Sequence, residues 1–497
     1  MASGALLLGI LLSSFFTGAV IFFLAEERHR LRTWLNLLGA AVKLALVIAL
    51  LQGVYIGQSY EYRHTLAPGI DFVLGADANS VFFVTLSTVL WLLTTLYAVG
   101  YLEDSPHRSR FFGFFSMCVS ATTGVALAGN LVTFLTFYEL LTISTYPLVV
   151  HRGTAASMRS GKVYLTYTLS GGAVLLFAMA WLQTIAGPVE FHQTGALAAV
   201  AGTHRTELRI LFVLFVFGLG VKAALVPLHG WLPQAMVAPA PVSSLLHAVA
   251  VVKAGAFGIV RLVYDVYGEK TADELALLQP VVIVASVTIL YGSLRALAQD
   301  ELKKRLAYST VSQVSYIVLG VAVASPLAAI GGIVHLVHQG VMKITMFFAA
   351  GNYAETLGIH HVSKMNGVGR RMPLTTAAFT VASLAMIGVP PLAGYVSKSY
   401  LQTGAIDAGD AWLTLVLGTS SLLNAAYFLP ILYRAWFLAP PERWPAEHAF
   451  GRYETHWMLL VPPIVTGVLV VCFGLFAESF FSPLTWAKLI AAREYGQ

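Results

Sequence analysis

Eight ionisable side chains inside long apolar runs of this 497-residue chain have the types and spacing of a proton path: Glu139, Lys222, His247, Lys253, His335, His338, Lys343 and Lys398. Such a group at bilayer depth costs a few kcal/mol on insertion scales, so it rarely persists without a task. Glu139 sits near the centre of LVTFLTFYELLTISTYPLVV, where hydrocarbon disfavours its charged form until a cation approaches. Lys222 is the natural partner, because burial disfavours the ammonium and a nearby carboxylate restores it. A Glu139–Lys222 pair of variable separation can therefore release and recapture a proton; the alternative is a static ion pair that fixes packing. His247 and Lys253 lie six residues apart, on different sides of one helix and about a turn and a half along it. They read as successive relay stations. His335 and His338 share a face at i, i+3. That spacing can hold a metal, but no intramembrane carboxylate near by completes a site, so both are read as proton stations working near neutral pH. Lys343 continues the line. Lys398, in PPLAGYVSKSYLQTG, ends it, the alternative being a lysine that snorkels from a helix end.

The elements that must hold these groups are membrane helices. Hydrophobic residues make up 57% of the chain and charged ones 11%, against about a quarter charged in a soluble domain. Apolar runs of at least about 18 residues give fourteen spans: 4–25, 34–57, 78–102, 111–129, 131–150, 163–186, 209–226, 241–266, 277–298, 305–325, 327–350, 373–401, 411–437 and 456–478. The weakest boundary is Gly129–Asn130, where two spans meet with almost no link. The first run, Ala5–Ala25, ends in charge rather than in a small-residue cleavage site and is read as a span. The stretch Leu211–Arg261 is the most informative. Two apolar helices, each with a lysine in its middle, flank a break at Pro227, Pro233, Pro239 and Pro241. Broken helices at membrane depth mark backbone that lines a cavity or ion path. A weaker echo follows, in which Lys398 stands after a break at Pro390, Pro391 and Gly394, and interrupted segments in two halves point to inverted repeats.

Basic loops check the count. Arg28, Arg30 and Arg32, then Arg108 and Arg110, then Arg152, Arg159 and Lys162, fall on one side. So do Lys303, Lys304 and Arg305, then Lys364, Arg370 and Arg371, then Arg434, Arg443 and Arg452. The opposite loops carry chiefly Arg63, Arg205, Arg209 and Lys270. The positive-inside rule then puts both termini outside, in the cell inner (plasma) membrane. The net charge of +6 sits in these short loops and does not point to nucleic acid. Cys118 and Cys472 form no metal or disulfide framework, and no familiar enzyme motif stands at a strand–helix junction. Arg261, Asp265 and Glu269 read as a solvated rim, Gly171 and Gly172 as close helix packing, and the tail after Ser482 as an amphipathic segment on the membrane surface.

On these residues the chain resembles the antiporter-like subunits shared by respiratory complex I, Mrp-type Na+/H+ antiporters and membrane-bound hydrogenases. The segments that carry the likeness are FYELLTISTYPL, VKAALVPLHGWLPQAMVAPAPVSSLLHAVAVVKAG, DELKKRLAYSTVSQVSYI, HLVHQGVMKITMFFAAG and GVPPLAGYVSKSYL. The resemblance implies an all-α polytopic membrane protein of about fourteen helices, with two inverted five-helix repeats that each contain a discontinuous helix. Residues 1–110 would form a three-helix segment, 111–266 and 277–437 the two repeats, and 438–497 a last helix with a short tail. Glu139 matches the family's fifth-helix glutamate and Lys222 the lysine of the broken seventh helix. His247 and Lys253 match eighth-helix stations, His338 and Lys343 eleventh-helix ones, and Lys398 the exit residue. The implied activity is movement of H+ along a midplane axis, exchanged for Na+ or another monovalent cation, driven by charge shifts from a neighbouring subunit. The implied partners are other membrane subunits, with no cofactor and no catalytic site in the chain itself. The chain length and Lys398 are similar to the shorter, Mrp D-like type. The alternative is a membrane-arm pumping subunit of a complex I-like NADH:quinone oxidoreductase or a membrane-bound hydrogenase.

Overall fold

The computed structural model describes residues 2–102, 105–191, 195–448, 450 and 453–494, so Arg452 of the last basic loop lies outside the described residues. Its long helices follow the apolar runs. We number them α1 (Ala2–Phe22), α2 (His29–Tyr55), α3 (Ala78–Tyr101), α4 (Arg108–Leu127), α5 (Leu131–Val149), α6 (Ala155–Ala186), α7 (Arg205–Ala223) and α8 (Ala240–Tyr267). There follow α9 (Leu278–Leu297), α10 (Leu302–Ala322), α11 (Pro326–Leu357), α12 (Pro373–Ile387), α13 (Ala393–Asp407), α14 (Leu413–Phe437), α15 (Trp457–Leu475) and α16 (Pro483–Glu494). Among the described residues eleven helices are long and apolar enough to cross a membrane. The expected seventh and tenth spans hold α7 and α10, which are not among the eleven, and the twelfth holds two 15-residue helices, α12 and α13.

The tight Gly129–Asn130 link separates two helices because Asn130 caps the second. Its Oδ1 accepts from the Thr133 amide at 2.8 Å, and its Nδ2 donates to the Asp71 carbonyl at 2.8 Å. A side-chain cap of this kind satisfies an amide that the first turn leaves unpaired.

Asp71 belongs to an element absent from the all-α expectation. An antiparallel hairpin, β1 (Tyr60–Ala67) and β2 (Ile70–Ala76), stands between α2 and α3. Its turn runs through Pro68 and Gly69, the latter at φ +75°, a backbone region open to glycine. Arg63 pins the hairpin by reaching Glu61 (3.1 Å), Asp71 (3.1 Å) and Glu190 (2.6 Å). The Glu190 and Glu61 hydrogen bonds raise the Arg63 guanidinium above its ordinary range, and hydrogen bonds from Thr65 and Arg63 lower the Asp71 carboxyl.

Helix α11 is the central rod. It packs against α8, α10, α12, α13, α15 and α16, and nearly all of its residues are buried. The C-terminal α16, expected as an amphipathic segment, lays its apolar face on protein. Leu484, Ile490 and Ala491 are buried, the Trp486 indole donates to the Ala78 carbonyl at 2.9 Å, and Arg493 donates to Val54 O and Tyr55 O. Its apolar face has found protein to cover; residues 495–497 lie outside the described residues.

The expected solvated rim is corrected too. Arg261 and Asp265 are each 2% exposed. Arg261 forks onto Asp77 (2.5 and 2.9 Å) and reaches Asp265 (3.1 Å) and Ser80 Oγ (2.7 Å). Proximity to a helix end suggested solvent, whereas Asp77 and Ser80 at the N-terminus of α3 and the rings of Phe191 and Phe257 enclose the group. Burial alone would raise the Asp77 carboxyl; the Arg261 charge and hydrogen bonds outweigh that and hold it below the usual carboxylate range. Removing one member of such a buried cluster costs about 3–5 kcal/mol. Arg261→Leu is therefore expected to lower the melting temperature of the purified protein clearly. Arg63→Ala, whose pairs are exposed and screened, should lower it far less. Equal melting temperatures for the two variants would refute the role given to Arg261.

Candidate functional site

Helix α5 carries Glu139 at its middle and α7 carries Lys222 in its last turn, not at mid-helix. Lys222 Nζ lies 4.0 Å from Glu139 Oε1, donates to the Tyr138 carbonyl, and sits 3.4 Å above the Tyr138 ring. The carboxylate rests against Gly172 of α6, where an added Cβ would collide with Oε1. Gly172 therefore does more than let helices pack, because it makes the room that Glu139 occupies. Lys222 is 1% exposed while Glu139 keeps 27% of its side chain open, beside the exposed Leu140 and Ile143 of the same helix.

The break after α7 follows from its sequence. Ala224 takes a left-handed φ of +57°, a short helical turn forms at Trp231–Gln234, and α8 restarts at Ala240 behind Pro239. The Trp231 indole donates to Val221 O at 2.7 Å, satisfying a carbonyl of the ended helix. Lys303 enters the same break, donating to Ala238 O at 2.6 Å, whereas Lys304 pairs at the surface with Glu301 at 2.7 Å.

Helix α8 is not one regular helix. Leu245–Val249 is a π turn, Ala250 departs to φ −119° and ψ −82°, and α-helix resumes at Val251. His247 lies in the π turn and Lys253 beyond it, so the regular helical spacing expected between them does not hold. A π turn of this kind often marks a functional site. Gly255 meets the backbone of Ala223, where a Cβ would collide with the amide nitrogen. That contact sets the Lys253 segment beside the Lys222 turn. Lys253 Nζ donates to Leu336 O of α11 at 2.7 Å. His247 stacks on Phe347 at 4.5 Å, and neither of its ring nitrogens has a partner within the described residues.

On α11, His335 and His338 turn to different neighbours. His335 Nδ1 meets Ser397 Oγ at 2.7 Å and its ring stacks on Tyr316, while His338 stacks on Phe473. His335 lies within electrostatic reach of Lys253, Lys343 and Lys398, and so stands at the junction of the line. Among the described residues no three His, Cys, Asp or Glu side chains gather where they could hold a metal.

The last two lysines are joined by residues that sequence reading passed over. Lys343 Nζ donates to Ser309 Oγ at 2.6 Å, and the Tyr427 hydroxyl meets the same Oγ at 2.8 Å. Tyr427 also reaches Asn424 Oδ1, and Asn424 Nδ2 donates to Met386 O at 3.0 Å. Lys398 Nζ donates to that same carbonyl at 2.8 Å, to Ile387 O at 3.1 Å and to Ser421 Oγ at 3.1 Å. Lys398 is 9% exposed, so it is held inside the protein and does not snorkel. Serines, a tyrosine and an asparagine within helices are too common to single out; only their convergence between two lysines marks them.

The family model described as NADH:quinone oxidoreductase/Mrp antiporter, transmembrane, matches residues 128–424. The chain is 33% identical over 449 residues to NADH-quinone oxidoreductase subunit N of Desulforudis audaxviator, covering 88% of each chain. It is 26% identical to a Na(+)/H(+) antiporter subunit of Bacillus subtilis, covering 82% of this chain and 80% of that one. In structure it is similar to a chain of the Mrp complex from Dietzia sp., at a TM-score of 0.87 and 23% identity, covering 100% and 98% of the two chains.

Tyr427→Phe keeps the ring and deletes the hydroxyl between Lys343 and Lys398. The unpaired Asn424 oxygen costs about 1–3 kcal/mol, which the fold should survive. If this bridge passes protons between the two lysines, flux through the reconstituted protein should fall about a hundredfold, the low end for losing a positioned proton-transfer group. Unchanged flux in a folded variant would show that the bridge is structural.

Proposed function

Because the chain belongs to the NADH:quinone oxidoreductase/Mrp antiporter transmembrane family, as an antiporter-like membrane subunit, we propose that it translocates protons within a multisubunit complex, exchanging H+ for Na+ or another monovalent cation. The observation that carries this reading is the 4.0 Å Glu139–Lys222 pair at the end of a broken helix. When the carboxylate is close, Lys222 holds its proton. When it withdraws, the desolvated ammonium gives the proton to a neutral neighbour along Lys253, His335, Lys343 and Lys398, with His247 and His338 beside the path. The open face of Glu139 supports the multisubunit part. A carboxylate left facing hydrocarbon at mid-helix is costly, and a neighbouring membrane subunit would cover it.

The topology proposed with this function has fourteen spans, both termini on the outer side of the cell inner membrane, and inverted repeats within 111–266 and 277–437 flanked by 1–110 and 438–497. Support comes from the two interrupted helix pairs, α7/α8 and α12/α13, with Lys222 before one break and Lys398 after the other. The basic loops add the orientation. A second reading makes the chain a proton-pumping subunit in the membrane arm of a complex I-like NADH:quinone oxidoreductase or a hydrogenase. The 33% identity to an NADH-quinone oxidoreductase subunit over 88% of both chains favours it.

Glu139→Gln and Lys222→Met are each expected to cut coupled transport at least about tenfold in inverted membrane vesicles, read as quenching of a ΔpH dye, while the complex still assembles. Normal transport by both would end the mechanism. The two readings separate in a mild-detergent pull-down of the tagged chain analysed by mass spectrometry. Small membrane subunits without iron–sulfur or flavin proteins support the antiporter, and co-purified redox subunits support the pump.

A further inference from the structure

Lys43 of α2 is a buried lysine outside the line described above. Its side chain is fully enclosed. Nζ donates to Ser14 Oγ of α1 at 2.9 Å and to Thr123 Oγ1 of α4 at 2.5 Å, and it lies 5.4 Å from the centre of the Trp91 ring of α3. Those three neighbours carry no charge, and no carboxylate among the described residues pairs with it. An ammonium at this depth with only hydroxyls and an indole around it is as costly as Lys222, yet it lacks the carboxylate that offsets the cost there.

A column of polar groups leads away from it toward one end of the bundle. Asn36 stands seven residues before Lys43 on α2, Ser116 seven before Thr123 on α4, and Thr95 four after Trp91 on α3. Whole numbers of turns separate them, so each lies on the same face as its partner near Lys43. Since α3 runs opposite to α2 and α4, all three steps go the same way. Both Asn36 amide atoms, Thr95 Oγ1, Ser116 Oγ and Trp91 Nε1 are buried without a hydrogen-bond partner within the described residues. Buried polar atoms in such numbers are normally satisfied by internal water.

One further turn along each helix brings Arg32, Val99 and Phe112, and these three line a cavity of about 290 Å³ at the arginine-rich end of the bundle. There Arg32 donates to Ser109 Oγ at 2.7 Å. Past Lys43 the path closes on buried Leu7, Ile10, Val47 and Leu50. The polar column thus starts at a cavity on the basic face and ends on an amine. The arginines at its mouth and the lysine at its end repel metal cations, and an amine at the closed end is a group that takes up and gives a proton.

We propose that α2, α3 and α4 enclose a water-filled half-channel from the basic face to Lys43, and that Lys43 is an additional proton-loading station. Helix α4 links it to the Glu139 helix, since α4 receives the Lys43 ammonium at Thr123 and meets α5 where Cys118 lies 2.9 Å from Thr145. The role of Lys43 rests on the proton-translocating reading; the wet passage does not.

The test therefore has two arms on the full chain in its native membranes. In vesicles exposing the basic face, Asn36→Cys, Lys43→Cys and Val47→Cys are treated with a small water-soluble thiosulfonate, and peptide mass spectrometry separates each from Cys118 and Cys472. Positions 36 and 43 should react at least about tenfold faster than 47, one turn beyond the end of the passage. Equal rates at 43 and 47, or no reaction at 36, would overturn the half-channel. Wild-type Lys43 gives the same readout without mutation: reductive methylation at alkaline pH should modify it, and an unmodified Lys43 beside fully methylated Lys488 would count against the proposal. In the second arm Lys43→Met should slow ΔpH-coupled transport several-fold in assembled complex, and unchanged transport overturns the loading role. If Glu139→Gln is also without effect, the transport reading has failed, and the accessibility result still decides the passage.

Discussion

An ammonium group in hydrocarbon has donors that need acceptors and a charge that must be tolerated, and this constraint shapes the interior of the protein. Regular helices offer few acceptors, because their carbonyls are already used. The chain answers by ending helices where lysines stand. The last carbonyls of α12, Met386 and Ile387, are left free by the break before α13, and Lys398 takes both. Positive charge at a helix C-terminus is also favoured by the helix dipole. Lys253 instead finds Leu336 O in the central rod, and Lys343 finds the Ser309 hydroxyl. Breaks, hydroxyls and lysines occur together because each makes the others tolerable.

The same constraint explains why the site is spread over so many elements. A pair on one helix would be fixed at helical spacing, and a proton would have no reason to move. Here each lysine is anchored on a different helix from its acceptor: α7 to α5, α8 to α11, α11 to α10, and α13 to α12. In the proposed mechanism, small relative movements of helices would change the partners of a charge without unfolding anything. Gly255 against Ala223 and Gly172 against Glu139 are where backbone approaches closely enough for such movements to be felt.

Much of this was legible in the sequence, for a physical reason. A charged residue in a long apolar run contradicts its surroundings, so Glu139, Lys222, Lys253, Lys343 and Lys398 announce themselves, and prolines announce the break. What could not be read was anything neutral or anything that depends on a distant neighbour. Ser309, Tyr427 and Asn424 are ordinary helix residues until three helices bring them together. Arg261 reads as surface because nothing local reveals that Asp77, 184 residues away, is its partner. The hairpin was legible in principle from Pro68 and Gly69 with alternating residues before them, but it was hidden by the apolar runs on either side. Lys43, inside the apolar run 34–57, meets the same criterion as the line lysines; what its own stretch does not show is the polar column around it, which α1, α3 and α4 supply.

The contrast between the two buried lysines that face α4 and α5 shows what a carboxylate adds. Lys222 and Lys43 are equally enclosed, but only Lys222 has a negative group at 4.0 Å. In the proposed mechanism its charge would be switched from outside, because Glu139 alone among the eight line residues is substantially open at the edge of the chain. A neighbour that pulls or pushes that carboxylate changes the proton affinity of Lys222 without touching it. Lys43 has no such lever, and its charge responds only to what reaches it through its own polar column. In the proposed mechanism the electrical input would arrive at this one partly open carboxylate while every other charged member of the line is buried, so that a partner could signal without opening the path to its surroundings.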